Sequence, residues 1–372
     1  MRIAFLCKRR YMSKDVILDR YARLYEIPRQ LAEYGHEVRA FCLDYYHENT
    51  EGTWQHKTEK GSLVWHSKSL GRWKLGLLSY PFYLQGQLKD FQPDVIIAAS
   101  DIPHVVLGGF LANRLEIPYC IDLYDNFEGF GQAKIPGFVK ALRASAKNAS
   151  LVITTSELLK QKVINVYRAQ GRVVAMPSSV DLQIFCPQNK QTMRQMLGLP
   201  KDALLIGTAG GLMRDRGIDV LYEGFLKLNK ENPSIHLVLA GPVDKDYPPP
   251  AHPAVHYLGM LAHKKTANLF NALDIGVIYL KDTVFGRYCF PQKAYEMMAC
   301  NLPIVATNLG AMPDLLDGVP HALYQEDNIE SLVKAVLWQL EHQQRSAQTV
   351  KDWQELMQEL ERELVILAAT SK

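Results

Sequence analysis

The sequence predicts an α/β protein with two domains, each built on a parallel sheet with helices on both faces. Short apolar runs typical of buried strands alternate with stretches of helical periodicity, and this alternation occurs twice along the chain. The length of 372 residues exceeds that of most single-core domains. The composition changes at residues 185–190, between the two alternating regions. We therefore predict one domain over residues 1–184, a second over residues 185–350 and a final helix within residues 351–372.

The apolar runs locate the individual strands. They are predicted at residues 3–7, 38–43, 64–66, 95–99, 119–123, 151–154, 173–176, 204–208, 235–240, 255–258, 275–279, 304–307 and 322–324. Helices are predicted between them, notably at 220–229 and 266–273. Gly35 has the position of a C-terminal helix cap, and Pro28 is expected to kink or restart the helix before it.

The composition is that of an ordinary globular protein, with 48% hydrophobic and 22% charged residues. No run of 18 uncharged apolar residues occurs, so no membrane-spanning helix is predicted. The six cysteines are scattered without paired spacing, which favours reduced thiols in a cytoplasmic protein over disulfides or a zinc site.

The charge differs between the two halves of the chain. Residues 1–180 contain 24 Lys and Arg against 17 Asp and Glu, whereas the remainder contains 18 against 22. The basic half indicates an anionic partner or surface, but its charges are too evenly spread to predict nucleic-acid binding. Residues 72–84 mix cations with apolar side chains, which is compatible with peripheral membrane contact. A helix that packs its apolar face inward is the alternative that we favour.

The segment around Lys293 and Glu296 is the most informative about chemistry. Pro291 fits the first turn of a helix, and the i to i+3 spacing places the two charged side chains on one face. The free N–H groups of a helix start favour an anion. The strand at 304–307 places this helix start near the ligand-binding edge of a sheet. The pair predicts a phosphate site beside a carboxylate that accepts from sugar hydroxyls; an ion pair on a solvated face is the alternative.

A second candidate is the loop that contains Gly210, Gly211 and Arg216, between a predicted strand and a predicted helix. Paired glycines allow the backbone to approach a bulky ligand, and an arginine can bind two phosphate oxygens at once. Together with Lys293, Arg216 would stabilise a departing nucleoside diphosphate without a metal. The alternative is an ordinary strand–helix turn without a ligand, which would have the same sequence pattern.

Two further turns end predicted strands of the second domain. Gly241 and Met260 lie in them, and we expect one or both to border the base of a nucleotide. The alternative is that each glycine serves only to form its turn, without contact to a ligand.

Polar residues follow the strand at 119–123 in the first domain. Asp125, Asn126 and Glu128 are candidates to orient a hydroxyl acceptor, and Asp125 is the candidate catalytic residue among them; helix capping and loop solvation are the alternative.

Three other features of the sequence contain candidate side chains. The cationic loop at residues 8–11, with Arg10, is a candidate for an anionic acceptor or the donor phosphates, or is simply solvated. His104 lies near a predicted helix start. It either faces the acceptor or only forms hydrogen bonds with the unpaired backbone groups of that helix end. His252 and His256 have zinc-like spacing, but the surrounding prolines exclude a helix there, so no metal site is predicted.

These motifs resemble those of the retaining glycosyltransferases of family 4, which have the GT-B fold, over nearly the whole chain. The residues that carry the resemblance are Tyr34 to Val38, Met176 to Asp181 with Phe185, Arg216-Gly217, and Pro291 through Glu296 to Thr307. The resemblance implies two facing Rossmann-like domains, an acceptor site in the first, a donor site in the second, and a C-terminal helix that crosses back to the first.

The resemblance also implies residue roles. Glu296 would hold the ribose of the donor, and Lys293 would contact its diphosphate. Arg216 stands where the family usually has a phosphate-binding lysine. Asp125 directly follows a position at which many members have a histidine that touches the transferred sugar; here Tyr124 occupies that position.

The sequence departs from the family pattern at further positions. Gly211 replaces a frequent arginine. Tyr288 replaces a frequent glutamate that reaches the donor sugar, and we expect Tyr288 to contact the donor in its place. The glycine pair common after the first strand is replaced by Lys8-Arg9-Arg10.

The function implied is retaining transfer of a hexosyl residue from a nucleotide diphosphate sugar, with UDP expected, to a saccharide or glycolipid hydroxyl. No metal or other cofactor is expected, and the setting is cytoplasmic with peripheral contact at the inner face of the membrane. A bacterial surface-polysaccharide or lipopolysaccharide role is typical of the family. A sugar-nucleotide 2-epimerase of the same fold and a catalytically silent nucleotide-sugar-binding relative remain alternatives.

Overall fold

The computed structural model describes residues 1–12, 14–20, 22–46, 50–71 and 74–370. Contacts divide the chain into two compact units. Unit 1 comprises Met1–Ser178 together with Trp353–Lys372, and unit 2 comprises Ser179–Asp352. The domain boundaries predicted from the sequence lie after residues 184 and 350, and they stay predictions.

The described residues form the following elements. The strands are β1 (Arg2–Lys8), β2 (Arg10–Tyr11), β3 (Lys14–Asp15), β4 (Glu37–Asp44), β5 (Gly52–His56), β6 (Ser62–Ser69), β7 (Val95–Ala99), β8 (Tyr119–Leu123), β9 (Leu151–Thr154), β10 (Arg172–Ala175), β11 (Leu204–Ala209), β12 (Ile235–Ala240), β13 (Val255–Tyr257), β14 (Ile275–Ile278), β15 (Ile304–Thr307) and β16 (Leu323–Tyr324). The helices are α1 (Ala22–Glu33), α2 (Gly76–Phe91), α3 (Ile102–Leu115), α4 (Phe138–Asn148), α5 (Glu157–Asn165), α6 (Lys190–Leu197), α7 (Ile218–Glu231), α8 (His263–Ala272), α9 (Gln292–Ala299), α10 (Met312–Leu315), α11 (Ile329–His342) and α12 (Trp353–Thr370).

Each unit has one large sheet. In unit 1 the strand order is β10-β9-β8-β7-β1-β4-β6-β5, and all neighbours are parallel except β5, which pairs antiparallel with β6. In unit 2 the order is β13-β12-β11-β14-β15-β16, and every pair is parallel. The α/β architecture predicted from the sequence is confirmed.

The strand orders locate a ligand-binding crevice in each sheet. From β1 the chain builds outward through β4 and β6, then returns to build the other side from β7 onward. In unit 2 it builds from β11 through β12 and β13, then returns to β14. Ligands of open α/β sheets bind at such reversals, beyond the carboxyl ends of the strands. Ligand sites are therefore expected at the ends of β1 and β7 in unit 1 and of β11 and β14 in unit 2.

A buried ion pair holds part of unit 1 together. The guanidinium group of Arg23, on α1, donates to both carboxylate oxygens of Asp122 on β8, with donor–acceptor distances of 2.7–2.9 Å. It also donates to the carbonyl oxygens of Met176 and Pro177. Arg23 and Asp122 are almost completely buried. Because each of the three guanidinium nitrogens has a partner, this arrangement fixes α1 against the sheet.

The final helix belongs to unit 1, where it packs against α1. Its apolar side chains Leu356, Leu360 and Leu364 recur at helical spacing and are buried. No helix in the part of the chain that the structure describes is both long and apolar enough to cross a bilayer.

Several local predictions differ from the structure. The short polar strand β5 was not predicted, and α1 runs through Pro28 as one helix. On α2, Tyr80, Leu84 and Leu88 are buried as expected of a helix that packs inward, but Leu78 and Phe82 are mostly exposed. Residues 72 and 73, which begin the segment proposed for membrane contact, lie outside the described residues.

Candidate functional site

The crevice of unit 2 is bordered by the Gly210–Gly211 loop after β11 and by Tyr279 after β14. The hydroxyl group of Tyr279 donates to the carbonyl oxygen of Gly211 at 2.8 Å, so the two strand ends are joined. Burial of Tyr279 raises the pKa of its phenol, which therefore stays protonated as a donor. The glycine pair predicted as a ligand loop thus lies at the reversal of strand order, on a fixed support.

Gly241 supports the same loop from the other side. A methyl group at Gly241 would lie 2.1 Å from the carbonyl oxygen of Gly210, which is closer than atoms can approach. Both glycines have positive φ angles, +123° at Gly241 and +119° at Gly210. Only glycine is compatible with this combination. Gly241 also donates its N–H to Gly259, the residue before the exposed Met260.

Lys293 reaches this loop from α9. Pro291 forms the N-terminal cap of the helix, which begins at Gln292, so Lys293 occupies the first turn as predicted. Its Nζ atom would be 3.4 Å from a methyl group at Gly210. It lies 4.8 Å from the centroid of the Tyr279 ring. Loss of water, and then repulsion by Arg216, lower its pKa to about 8, while Glu296 opposes the shift.

Glu296 follows one turn later on α9. Its desolvated position raises its pKa to about 7, and attraction to Lys293 only partly offsets this effect. A carboxylate in such a place is stabilised by hydroxyl donors. The side chain therefore suits a diol, such as the hydroxyls of a ribose.

Arg216 ends a short 3-10 turn before α7 and is exposed. Its Nη1 atom would lie 3.5 Å from a methyl group at Gly211, so Arg216 and Lys293 border the same two-residue loop. Its guanidinium carbon lies 6.0 Å from the ring centroid of Phe285.

Arg216 and Lys293 have no acidic partner within 4.0 Å among the described residues, whereas other cations nearby are paired with carboxylates. Lys281 pairs with Asp219 and Asp327, and Arg287 pairs with Asp282. Two unneutralised cations on one glycine loop repel each other, and an anion between them would relieve that repulsion.

Tyr288 lies on a 3-10 turn that ends just before Cys289, whose thiol is near enough to act electrostatically on Lys293. Tyr288 is half-buried, and its predicted contact with a donor sugar stays a prediction, as does the predicted contact of Met260 with a base. The described residues contain no group of three or more His, Cys, Asp or Glu placed to hold a metal ion.

Three of the predicted acceptor residues of unit 1 are engaged within the fold. Arg10 pairs with Asp15 at 3.3 Å and with Asp44 at 3.2 Å. Asn126 and Glu128 both accept from Nζ of Lys162, at 3.0 and 2.8 Å. Glu128 is also paired with Arg143. These contacts give the polar residues a structural role on which the sequence alone could not decide.

Tyr124 and Asp125 lie at the carboxyl end of β8. The Tyr124 hydroxyl is buried, donates to the carbonyl oxygen of Ser100 at 3.0 Å and accepts from Nζ of Lys8 at 3.3 Å. Asp125 is half-buried and accepts from the N–H of Asn126. The proposed catalytic role of Asp125 stays a prediction.

His104 lies in the first turn of α3 and is 2% exposed. Its Nδ1 atom lies 2.7 Å from the Asp101 carboxylate, whose pKa is held below the ordinary value by His104 even though burial opposes this. The other ring nitrogen has no hydrogen-bond partner in the described structure, and His104 lines a cavity of about 170 Å³ together with Tyr45, Tyr80 and apolar side chains.

Tyr279 was not selected from the sequence as a site residue, and Lys8 was considered only as part of the cationic loop at residues 8–11, from which Arg10 was chosen. Both stand at or directly after the end of a strand beside the reversal of strand order, and that position is the signal that would have identified them.

Comparison with known proteins identifies the family. The glycosyl transferase 4-like domain matches residues 22–178, and the domain described as glycosyl transferases group 1 matches residues 203–342. A D-inositol 3-phosphate glycosyltransferase of Stackebrandtia nassauensis is 30% identical over 184 residues, which are 45% of this chain and 40% of that protein. The putative teichuronic acid biosynthesis glycosyltransferase TuaC of Bacillus subtilis is 24% identical over 69% of this chain and 63% of its own length. The matched regions thus span less than two thirds of these relatives.

Solved structures show the same fold. Sucrose-phosphate synthase from Thermosynechococcus elongatus aligns with a TM-score of 0.69 at 18% identity, covering 99% of this chain and 98% of that one. Anabaena HepE in complex with UDP-glucose aligns with a TM-score of 0.64 at 17% identity, covering 100% and 98%. The two domain matches together span most of the sequence, and the chain therefore belongs to the group 1 and 4-like glycosyltransferases, with their two-domain GT-B fold.

Proposed function

We propose that this protein transfers a hexosyl residue from a UDP-linked sugar to a hydroxyl of a saccharide or glycolipid acceptor, with retention of anomeric configuration and without a metal. The observation that carries the proposal is the convergence of Arg216 and Lys293 on the Gly210–Gly211 loop, where neither cation has a carboxylate of a described residue within 4.0 Å. The diphosphate of a sugar nucleotide carries the complementary charge. The solved HepE complexes with UDP and UDP-glucose make the same ligand class the first choice here.

In the proposed reaction, Arg216 and Lys293 hold the diphosphate and stabilise the charge that it gains as it leaves. Glu296 accepts hydrogen bonds from the ribose. The bond between the sugar carbon and the phosphate oxygen breaks as the acceptor oxygen bonds to the same face of that carbon. The acceptor proton passes to the departing phosphate, so the step is balanced without a separate base. Asp125 is proposed to orient the acceptor.

The proposal includes a cytoplasmic setting with peripheral membrane contact through unit 1. The excess of basic residues in the first half supports it, as do Leu78 and Phe82, which are 72% and 77% exposed on α2. Sedimentation with anionic vesicles tests this part, and a Leu78→Ser, Phe82→Ser double variant should bind them less than wild type. Equal binding would contradict it.

Incubation with UDP-glucose and saccharide or glycolipid acceptors tests the reaction. We expect UDP release coupled to a new glycoside with the anomeric configuration of the donor, unaffected by a chelator. An inverted product would contradict retention. A new sugar epimer without acceptor would support an epimerase instead, and UDP binding without transfer to any acceptor would indicate a silent relative.

A further inference from the structure

The carboxyl end of β1, at the reversal of strand order in unit 1, carries three successive cations: Lys8, Arg9 and Arg10. The fold neutralises two of them. Arg9 is 2% exposed and pairs with Asp15 at 2.9 Å, and Arg10 pairs with Asp15 and Asp44. Among the residues that the structure describes, no carboxylate lies within 4.0 Å of the Lys8 ammonium group.

The surroundings of Lys8 are aromatic. Its Nζ atom lies 5.6 Å from the ring centroid of Phe130 and 6.0 Å from that of Tyr11, and its hydrogen bond to Tyr124 is 3.3 Å long. Desolvation lowers the pKa of Lys8, and the more distant Asp101 carboxylate only partly opposes this effect. An ammonium group that has lost water in this way gains most from a ligand that brings a full negative charge.

The Asp101 carboxylate is itself committed to other donors. It accepts from the Tyr45 hydroxyl at 2.9 Å, from the N–H of His104 at 3.0 Å and from the ring of the same histidine. It acts on Lys8 through space, without a direct ion pair. Lys8 therefore remains available for an external anion.

The backbone beside Lys8 shows a strained position. Ser100, directly after β7, has a φ angle of +81°, a value that residues other than glycine rarely adopt. Its hydroxyl accepts from the N–H of Lys8 at 2.8 Å, and its carbonyl oxygen accepts from Tyr124. Strain of this kind persists where the surrounding structure fixes it, often at ligand sites. Ser100 thus holds the end of β1 and the Tyr124 hydroxyl in one arrangement.

From these observations we propose that Lys8 is the anion-binding residue of the acceptor site, where it binds a phosphate or carboxylate group carried by the saccharide acceptor. This inference rests on the proposed function and specifies its acceptor class as an anionic saccharide. The donor diphosphate already has two cations in unit 2, so Lys8 serves a different anion. The partly accessible ring of Phe130 offers an apolar surface for the C–H face of the same sugar.

The test titrates the full chain with glucose 6-phosphate, glucuronic acid and uncharged glucose by calorimetry, and with UDP on the same samples. Wild type should bind at least one of the two anionic sugars about tenfold or more tightly than glucose, and the preferred one identifies phosphate or carboxylate as the group bound. Lys8→Gln should weaken that binding about ten- to a hundredfold, because a charge-assisted hydrogen bond is lost. Lys8→Arg should retain most of it.

Lys140→Gln is the matched control, because Lys140 is an exposed lysine on α4 in the same unit. It should leave both affinities unchanged, and Lys8→Gln should leave UDP binding unchanged. The inference is overturned if both anionic sugars bind no better than glucose, if Lys8→Gln binds them as wild type does, or if Lys8→Gln weakens UDP instead. Absence of UDP binding by wild type would contradict the donor site of the proposed function, and the sugar titrations would still decide the role of Lys8.

Discussion

Lys293 places its ammonium group 4.8 Å from the centroid of the Tyr279 ring, and the hydroxyl of that ring donates to the carbonyl oxygen of Gly211. The helix that carries the cation and the loop that approaches the ligand are thereby fixed to one buried aromatic side chain. A cation so placed is oriented before any ligand arrives, which reduces the entropy lost on binding. The sheet of unit 2 therefore positions both parts of the proposed donor site.

Lys293→Met should stabilise the unliganded protein at neutral pH. The pKa of Lys293 is lowered to about 8, so the folded state disfavours the charged form that is present at neutral pH. Methionine keeps most of the side-chain volume and removes that charge. We expect a rise in the midpoint of thermal unfolding, by about 2–4 °C for each kcal/mol gained. A lower midpoint would show that the ammonium group has a stabilising partner.

Gly241→Ala should destabilise unit 2 and abolish UDP binding, because the new methyl group would overlap the carbonyl oxygen of Gly210 at a positive φ angle. The strained backbone alone costs on the order of 1–3 kcal/mol. Gly131→Ala is the control, since a methyl group there has no atom within 4 Å. Thermal unfolding and UDP titration of both variants check this prediction, and wild-type behaviour of Gly241→Ala would refute the close approach.

The affinity for UDP-glucose should be highest between about pH 7 and 8. Below this window Glu296, with a pKa raised to about 7, becomes protonated and accepts ribose hydroxyls less well. Above it Lys293, with a pKa lowered to about 8, loses the charge that binds phosphate. Calorimetry from pH 6 to 9 measures the profile. Glu296→Gln should remove the decline on the acid side, and an unchanged acid side would exclude Glu296 as its cause.

Arg23→Ala should be among the most destabilising substitutions in unit 1. Removing one partner of a buried ion pair costs roughly 3–5 kcal/mol, because Asp122 would be left buried without its cation. Arg143→Ala, which breaks a more exposed pair with Glu128, should cost about 1 kcal/mol or less. Denaturant unfolding of both variants measures the contrast, and equal losses would contradict the special role assigned to the buried pair.

The elements of the donor region could largely be predicted from the sequence. The strand at 304–307 agrees with β15 residue for residue, and the helix around Lys293 begins one residue after Pro291. These predictions depend on local signals: an apolar run bounded by turn residues, and a proline at a helix start. Such signals act over a few residues and do not require knowledge of tertiary contacts.

The pairing of charges in unit 1 could not be predicted in the same way. Arg10 was selected from the cationic loop, yet Asp44 lies 34 residues away at the end of β4 and becomes its partner only through the fold. Glu128 likewise meets Lys162 across 34 residues. Which cation of a cluster has no carboxylate partner depends on such distant residues. For that reason the sequence could indicate the loop at residues 8–11 but could not single out Lys8 within it.

The measurement that tests the donor site most directly is calorimetric titration of UDP-glucose into wild type, Arg216→Ala, Lys293→Ala and the exposed-lysine control Lys230→Ala. The account predicts that Arg216→Ala and Lys293→Ala each bind UDP-glucose about tenfold or more weakly than wild type, while the control binds it as wild type does. If one of these two variants binds UDP-glucose with unchanged affinity, the residue substituted in it does not hold the diphosphate. If both do, the proposed donor site is wrong.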